Sequence, residues 1–322
     1  MIVKKREKPI HIQQIEALSS RISKVHPKYQ IIFERLLREN AGYYGEKATD
    51  FHLSFLPEEK YLILHNMRLF DGKNYFQIDT LLLTTSFIQI LEIKNLKGIL
   101  IFDPEFNQLI RILDGIEEGF PDPILQVERQ TTQLKYWLVS QNLPSIPIES
   151  LVVISNPSSI IKAASKPHLV SKKVIHSGKL PLKLTQFEQI HRDEILSLKE
   201  LKKLSRLLLK KHEPLLLDIL EKYQLTRKDI ITGIHCPHCK QLGLKRLSGS
   251  WHCIACNSTS KDAHYSGLKD IALLLDSSIS NKEAREFLHI KSQAVATKLL
   301  SSMSLPYTGE NKGRRYDLSQ FI

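Results

Sequence analysis

The sequence predicts an α/β protein: a mixed sheet flanked by helices in the first half, then a helical stretch and two small modules. Three observations carry this. Segments with helix, strand, helix and strand character follow one another over residues 9–157. All four cysteines fall between 236 and 256. The charge is uneven: the 322-residue chain has a net charge of +12, yet residues 1–170 hold 20 basic and 19 acidic side chains while 171–322 hold 26 and 15. A basic half beside a neutral one points to a polyanion partner, most often nucleic acid. No apolar run approaches the ~20 residues that cross a bilayer. The N-terminus also lacks the apolar core of a signal peptide. A cytoplasmic protein with no membrane partner is expected.

The elements follow in order. Ile12, Ile15, Leu18 and Ile22, then Ile32, Phe33, Leu36 and Leu37, recur near helical spacing, with Pro27 between the two stretches. In "NAGYYGEKATD", Gly42 and Gly45 predict a tight turn, with Glu46 at or near the start of the next helix. Residues 61–70 and 75–94 read as strands, the latter folding back at Thr84-Thr85-Ser86. "GIEEGFPDP" reads as a loop, 124–141 as a helix, and 150–157 as a buried strand ended by Asn156-Pro157. Such an order gives an α/β core. Residues 180–230, rich in Leu and Lys, read as helical. Three short helices follow the cysteines, then a turn at "GENKG" and a strand at "RRYDL".

Inside the greasy stretch "FQIDTLLLTTSFIQILEIKNLKG" stand Asp79, Glu92 and Lys94. A buried charge is costly unless it is paired or holds a metal. Strand alternation points Glu92 and Lys94 the same way, with Asp79 on the neighbouring strand. Two carboxylates suit Mg²⁺, completed by water and the carbonyl of Ile93. Lys94 would orient or deprotonate a water and stabilise developing charge. This pattern fits metal-assisted phosphodiester hydrolysis. The plainer reading is an ordinary Glu-x-Lys pair at a strand end.

"GYYGEKATD", "FQIDTLLLTTSFIQILEIKNLKG", "DPILQVERQTTQL" and "SLVVISN", in that order over roughly residues 40–160, resemble the NERD (nuclease-related) domain of the PD-(D/E)xK nuclease superfamily. The resemblance implies a restriction-endonuclease-like fold. It places a Gly-x-x-Gly-Glu signature on Gly42, Gly45 and Glu46, an Asp on Asp79, a Glu-x-Lys on Glu92 and Lys94, and a helix glutamine on Gln126, on the same helix face as Gln130. It implies that Glu46 helps hold the metal or Lys94, and that Gln126 supports the site.

"CPHC" at 236–239 and "CIAC" at 253–256 have the spacing of one tetrahedral Zn²⁺ held by Cys236, Cys239, Cys253 and Cys256. A closed four-thiolate shell is structural rather than catalytic. "GLKRLSGSWH" between them reads as a hairpin turning at Gly249, so the segment looks like a zinc ribbon. His235, His238 and His252 read as surface residues. Lys240, Lys245 and Arg246 with Trp251 form a basic, aromatic surface suited to nucleic acid, and protein contact is the rival role. From Ser280 onward the chain resembles a small winged helix of the excisionase type. Ala284, Phe287, Leu288, Ile290, Val295 and Leu299 would fill its core, and Arg314 and Arg315 on the wing would meet phosphates.

The expected organisation is a helical segment over 1–39, the nuclease-like domain over 40–170, a basic helical linker over 171–232, the ribbon over 233–260 and the winged-helix-like module over 264–322. The expected activity is Mg²⁺-dependent hydrolysis of DNA. The alternative is an adaptor that keeps the nuclease fold without its chemistry and binds nucleic acid or protein.

Overall fold

Ten short, mostly β-branched or leucine-rich segments form the strands of the first half: β1 (Ile2–Lys4), β2 (Leu62–Phe70), β3 (Tyr75–Leu83), β4 (Ile88–Lys94), β5 (Ile99–Asp103), β6 (Gln108–Leu113), β7 (Ile116–Pro121), β8 (Ile148–Ile154), β9 (Ile160–Ala163) and β10 (Val174–His176). Six of them make one mixed sheet in the order β1-β2-β3-β4-β8-β10. β2, β3 and β4 are antiparallel neighbours, whereas β4, β8 and β10 run parallel. The chain is described by a computed structural model covering residues 1–322, the side chain of Lys312 excepted. It divides into two units, Met1–Pro9 with Arg38–Leu215, and Ile10–Leu37 with Leu216–Ile322.

Alternation along the strands gives the main sheet two apolar faces. Ile63, Leu82, Leu91, Ile93, Leu151 and Val153 pack with Leu53, Leu180, Leu184 and Phe187. Leu64, Leu81, Leu83, Ile88, Ile90, Val152 and Ile154 pack with Val127, Leu134, Trp137, Leu201, Leu204 and Leu208. The helices that supply these side chains follow α1 (Ile10–Arg21). They are α2 (Tyr29–Leu53), α3 (Pro123–Ser140), α5 (Leu180–Ile190) and α6 (Leu198–Lys211), and the short α4 (Pro167–Lys173) adds Val170. α3 starts where Pro123 occupies the first turn and the Asp122 carboxylate accepts the Ile124 N–H, the arrangement that satisfies an orphan donor. Val174, Leu201, Leu204 and Leu208 are buried parts of this core, so the chain beyond residue 170 is folded onto the sheet.

Two local expectations are corrected. Gly42 and Gly45 do not turn the chain: α2 runs unbroken through both, and Glu46 sits mid-helix. Gly42 is exposed with open space around it, but a Cβ on Gly45 would stand 2.2 Å from the Asn95 Cβ and 2.7 Å from the Ser155 Oγ. The second glycine is there for close approach, not for a turn. The stretch expected as a loop at 115–123 contains β7, the edge of a four-stranded sheet ordered β7-β6-β5-β9. Asp114 (φ 52°) and Gly115 (φ 80°) make the left-handed two-residue connection between β6 and β7, a strong hairpin signal.

The second unit has its own core. Ile15 and Leu18 of α1, with Ile22 just beyond its end, pack with Trp251, Leu268, Ile271, Phe287 and Leu288. Arg21 is fully buried, paired with Asp270 at 2.7 Å and donating to the carbonyls of Ile231 and Gly233. After α7 (Ile219–Lys222), β11 (Lys245–Leu247), β12 (Ser250–His252) and β13 (Thr259–Ser260) form one small sheet. Ser248 and Gly249, both with positive φ, make the hairpin turn. Then come α8 (His264–Leu274), β14 (Ser278–Ser280), α9 (Asn281–Leu288), α10 (Gln293–Ser302), β15 (Tyr307–Thr308) and β16 (Arg315–Asp317), the strands ordered β14-β16-β15. Ala284, Phe287, Leu288, Ile290 and Leu299 are buried as expected, but Val295 is 39% exposed. Residues 212–218, expected to be helical, are not. Among the described residues no helix is long and apolar enough to cross a membrane.

Candidate active site and metal centre

The last ladder pair between β3 and β4 on this side is Thr80 with Leu91. One step further, Asp79 and Glu92 fall opposite one another. There the ladder gives way to a side chain: the Ile93 N–H donates to Asp79 Oδ2 at 2.8 Å. On the other flank of Asp79, Asn66 takes a left-handed conformation (φ 51°) and drops out of the β2–β3 pairing. Asn tolerates this conformation better than most residues.

Glu92 is 3% exposed and both its oxygens are engaged. Oε1 accepts from Lys94 Nζ at 2.7 Å, and Oε2 from Gln130 Nε2 at 2.7 Å. Lys94 Nζ also donates to Gln126 Oε1 at 3.0 Å. Gln130 donates further to the Gln77 carbonyl at 3.0 Å. Gln126 and Gln130, one turn apart on α3, thus hold the two ends of the Glu92–Lys94 pair. Each carboxylate oxygen keeps a second lone pair.

Glu46 reaches the same neighbourhood from α2, held by Arg6. Sequence reasoning missed Arg6. Its side chain is 2% exposed, and it also donates to Asp50 (2.9–3.1 Å), to Thr80 Oγ1 (2.7 Å) and to the Asp79 carbonyl (3.3 Å). It contacts His65 Nδ1 at 2.8 Å. Nothing in "KKREK" singles out one basic residue. Asp50, four residues after Glu46 on the same helix face, was open to a helical-spacing argument.

The electrostatics are those of crowded carboxylates. Burial, against the pull of Arg6 and with help from Glu92, pushes the Glu46 carboxyl up to about 7. Asp79 keeps some solvent contact but lies among enough protein to be desolvated. Burial and then Glu92 and Glu46 push its carboxyl well above the usual range, and the Ile93 N–H opposes this. Burial alone would lower the Lys94 ammonium, but Glu92, Asp79 and Glu46 outweigh it and raise it. Burial beside Arg6 and Lys4 takes His65 down to about 3, so its imidazole is neutral. Four carboxylates (Glu46, Asp50, Asp79 and Glu92) face two fixed cations, Arg6 and Lys94. The carboxylate oxygens are donors of the type that hard divalent cations take. A group of three or more ligating side chains gathered within 4.8 Å is found, among the described residues, only at the cysteines.

Those four thiols are unpaired by disulfides, and their Sγ atoms all lie within 4.8 Å of one another. Cys236–Cys256 is 3.7 Å and Cys239–Cys253 is 3.6 Å. A tetrahedron with Zn–S of ~2.3 Å has S···S edges of about 3.8 Å, so the group is shaped to hold zinc. The surface beside it differs from expectation in one respect: Trp251 is fully buried. Its indole N–H donates to His264 Nδ1 at 3.2 Å, and Arg246 lies over its ring at 5.0 Å. Trp251 is therefore core and offers no stacking platform. Lys245 and Arg246, with His289, Lys291 and the start of α10, line a cavity of about 490 Å³. Arg314 lies over the Tyr307 ring at 4.2 Å. Arg315 is occupied within the fold by Glu283 (3.0 Å), Asp276 (3.2 Å) and Ser278 (2.9 Å).

Residues 41–155 match the family model described as "Nuclease-related domain" (NERD). The chain therefore carries a nuclease-related domain. No curated protein matches the chain. Among solved structures, the crystal structure of protein VC1899 from Vibrio cholerae is similar over 58% of this chain and 58% of its own, at 11% identity and a TM-score of 0.25. The chain thus spans less than two thirds of that protein, and the likeness is too slight to bear on the reading.

Proposed function

We propose that the first unit is a divalent-metal-dependent nuclease that hydrolyses phosphodiester bonds of DNA, and that the second unit brings nucleic acid to it. The observation that carries this is the constellation at the end of β3 and β4: Asp79 opposite Glu92, with Lys94 fixed between Glu92 and Gln126. Asp79 and Glu92 would hold Mg²⁺, which when bound supplies a water of lowered pKa and neutralises phosphate charge. Lys94 stays an ammonium in this setting, so its part is to orient the attacking water and stabilise charge on the phosphate, not to accept a proton. Gln126 aims Lys94, Gln130 fixes the Glu92 rotamer, and Arg6 sets the position of Glu46. Ile88, Ile90 and Leu91 keep the background dry.

In this reading the cysteine cluster is a structural zinc ribbon, working in a reducing, cytoplasmic setting. Residues 264–322 are a winged-helix-like module whose Arg314, with Lys245 and Arg246 of the ribbon, meets phosphates. Arg315 shapes the wing through its internal partners. The test is incubation of the purified full chain with plasmid and linear DNA, with Mg²⁺ and with EDTA. Cleavage in Mg²⁺ that EDTA abolishes supports the reading. Binding without cleavage would instead favour an adaptor.

A further inference from the structure

Helix α6 carries Lys199, Lys202, Lys203, Arg206, Lys210 and Lys211, all exposed, while Leu201, Leu204 and Leu208 anchor its other side in the sheet core. Positions 199, 202, 203, 206 and 210 fall on one stripe. The single acid of the helix, Glu200, is turned back onto Ser197 in a capping box. Among the described residues none of the six cations forms an ion pair. Like charges three and four residues apart each cost a helix a few tenths of a kcal/mol, and solubility alone is served better by mixed charge. Such a stripe is stabilised by an anionic partner that spans it.

Both ends of the helix are pinned. The N–H groups of Ile195 and Leu196 donate to the Thr85 carbonyl, at the β3–β4 turn. At the other end the Arg68 N–H donates to His212 Nδ1 at 3.1 Å, and the Glu213 N–H to the Arg68 carbonyl. Arg68 pairs with Gln77, whose carbonyl accepts from Gln130, the amide that holds Glu92. The 14 residues of α6, about 21 Å long at 1.5 Å per residue, therefore run from the closed end of the hairpin to the end bearing Asp79 and Glu92.

We propose that this stripe is a phosphate track within the nuclease-related unit, along which the backbone of duplex DNA lies as it reaches the carboxylates. The proposal rests on the nuclease reading and adds a binding surface separate from the ribbon and the terminal module. The test compares the full chain with a K202Q/K203Q/R206Q/K210Q variant. Binding of a short labelled duplex is read by fluorescence anisotropy in EDTA over a range of salt. The variant's slope of log K against log[salt] should be shallower by roughly one unit for each lost contact, and binding should weaken about ten-fold or more. A variant that swaps Lys for Arg and Arg for Lys at the same positions should keep the wild-type slope. Should the quadruple variant unfold, R206Q/K210Q reads the same slope with half the change. An unchanged slope in a folded variant overturns the track. If that variant also cuts plasmid in Mg²⁺, the nuclease reading stands without it. A wild-type chain that neither binds nor cuts overturns both.

Discussion

Glu46 shows most clearly how single residues in this site are set against one another. Its carboxyl is held near 7, above the ordinary 4.5 of a glutamate, first by burial. A raised acid contributes stability that is full below the unfolded value and is lost as pH rises through the folded one. The loss falls between about pH 4.5 and 7 and amounts to ~3 kcal/mol. His65 runs the other way: its pKa is depressed to about 3, so its contribution is present above 6.5 and lost as pH falls. The wild-type profile alone cannot separate the two, but Glu46→Gln can. In EDTA, its melting temperature relative to wild type should rise from pH 5 to pH 8, and a difference that stays flat would show that Glu46 is not the strained group. Arg6 is the counterweight. Arg6→Met leaves buried carboxylates without their partner and should cost about 3–5 kcal/mol, read by urea denaturation; a loss below about 1 kcal/mol would mean the network relaxes. None of this was legible in the sequence. Asp79, Glu92 and Lys94 could be found because charged residues stand out in apolar strands, while Glu46 and Gln126 came from the resemblance to the NERD domain. Arg6 acts through contacts 40 to 74 residues away, and His65 meets it 59 residues away, which spacing does not encode.

Helix α2 carries the same lesson at the level of elements. Its two glycines look alike in sequence, but only Gly45 meets neighbours that a Cβ would displace. Gly42→Ala should stabilise the protein by up to about 1 kcal/mol, the helix propensity of an exposed site. Gly45→Ala should destabilise it and lower cleavage by shifting Asn95 next to Lys94. Equal effects of the two on the unfolding midpoint would contradict this reading. The strands were legible where apolar residues run almost without a break, from 62 to 94. β7 was missed because "IEEGFP" has exposed glutamates and no apolar alternation; the Asp114-Gly115 pair alone marks it. α6 was legible as a helix, but that its leucines belong to the sheet core was not, since amphipathicity says that a face is buried and not against what.

At the scale of the whole molecule, the chain divides into two units, and the division does not follow sequence order. α1 packs with Trp251 and Leu268, and β1 pairs with β2; neither partner could be read from the N-terminal sequence. The cysteine cluster belongs to the core of the second unit, where Cys236 and Cys253 are buried with Leu244 and Trp251. The purified protein should carry about one zinc per chain. Chelation should loosen the second unit, including α8 and α9, while the sheet strands of the first keep their amide protection; hydrogen exchange with and without chelator reads this, and equal loosening of β3 and β4 would contradict it. The central claim is that Asp79 and Glu92 serve hydrolysis. The most direct measurement is nicking of supercoiled plasmid in Mg²⁺ by wild type, Asp79→Asn and Glu92→Gln, with folding and duplex binding checked alongside. The account predicts cleavage by wild type only, with binding retained by both variants. Cleavage by either variant at the wild-type rate, or none by a folded, DNA-bound wild type, would contradict it.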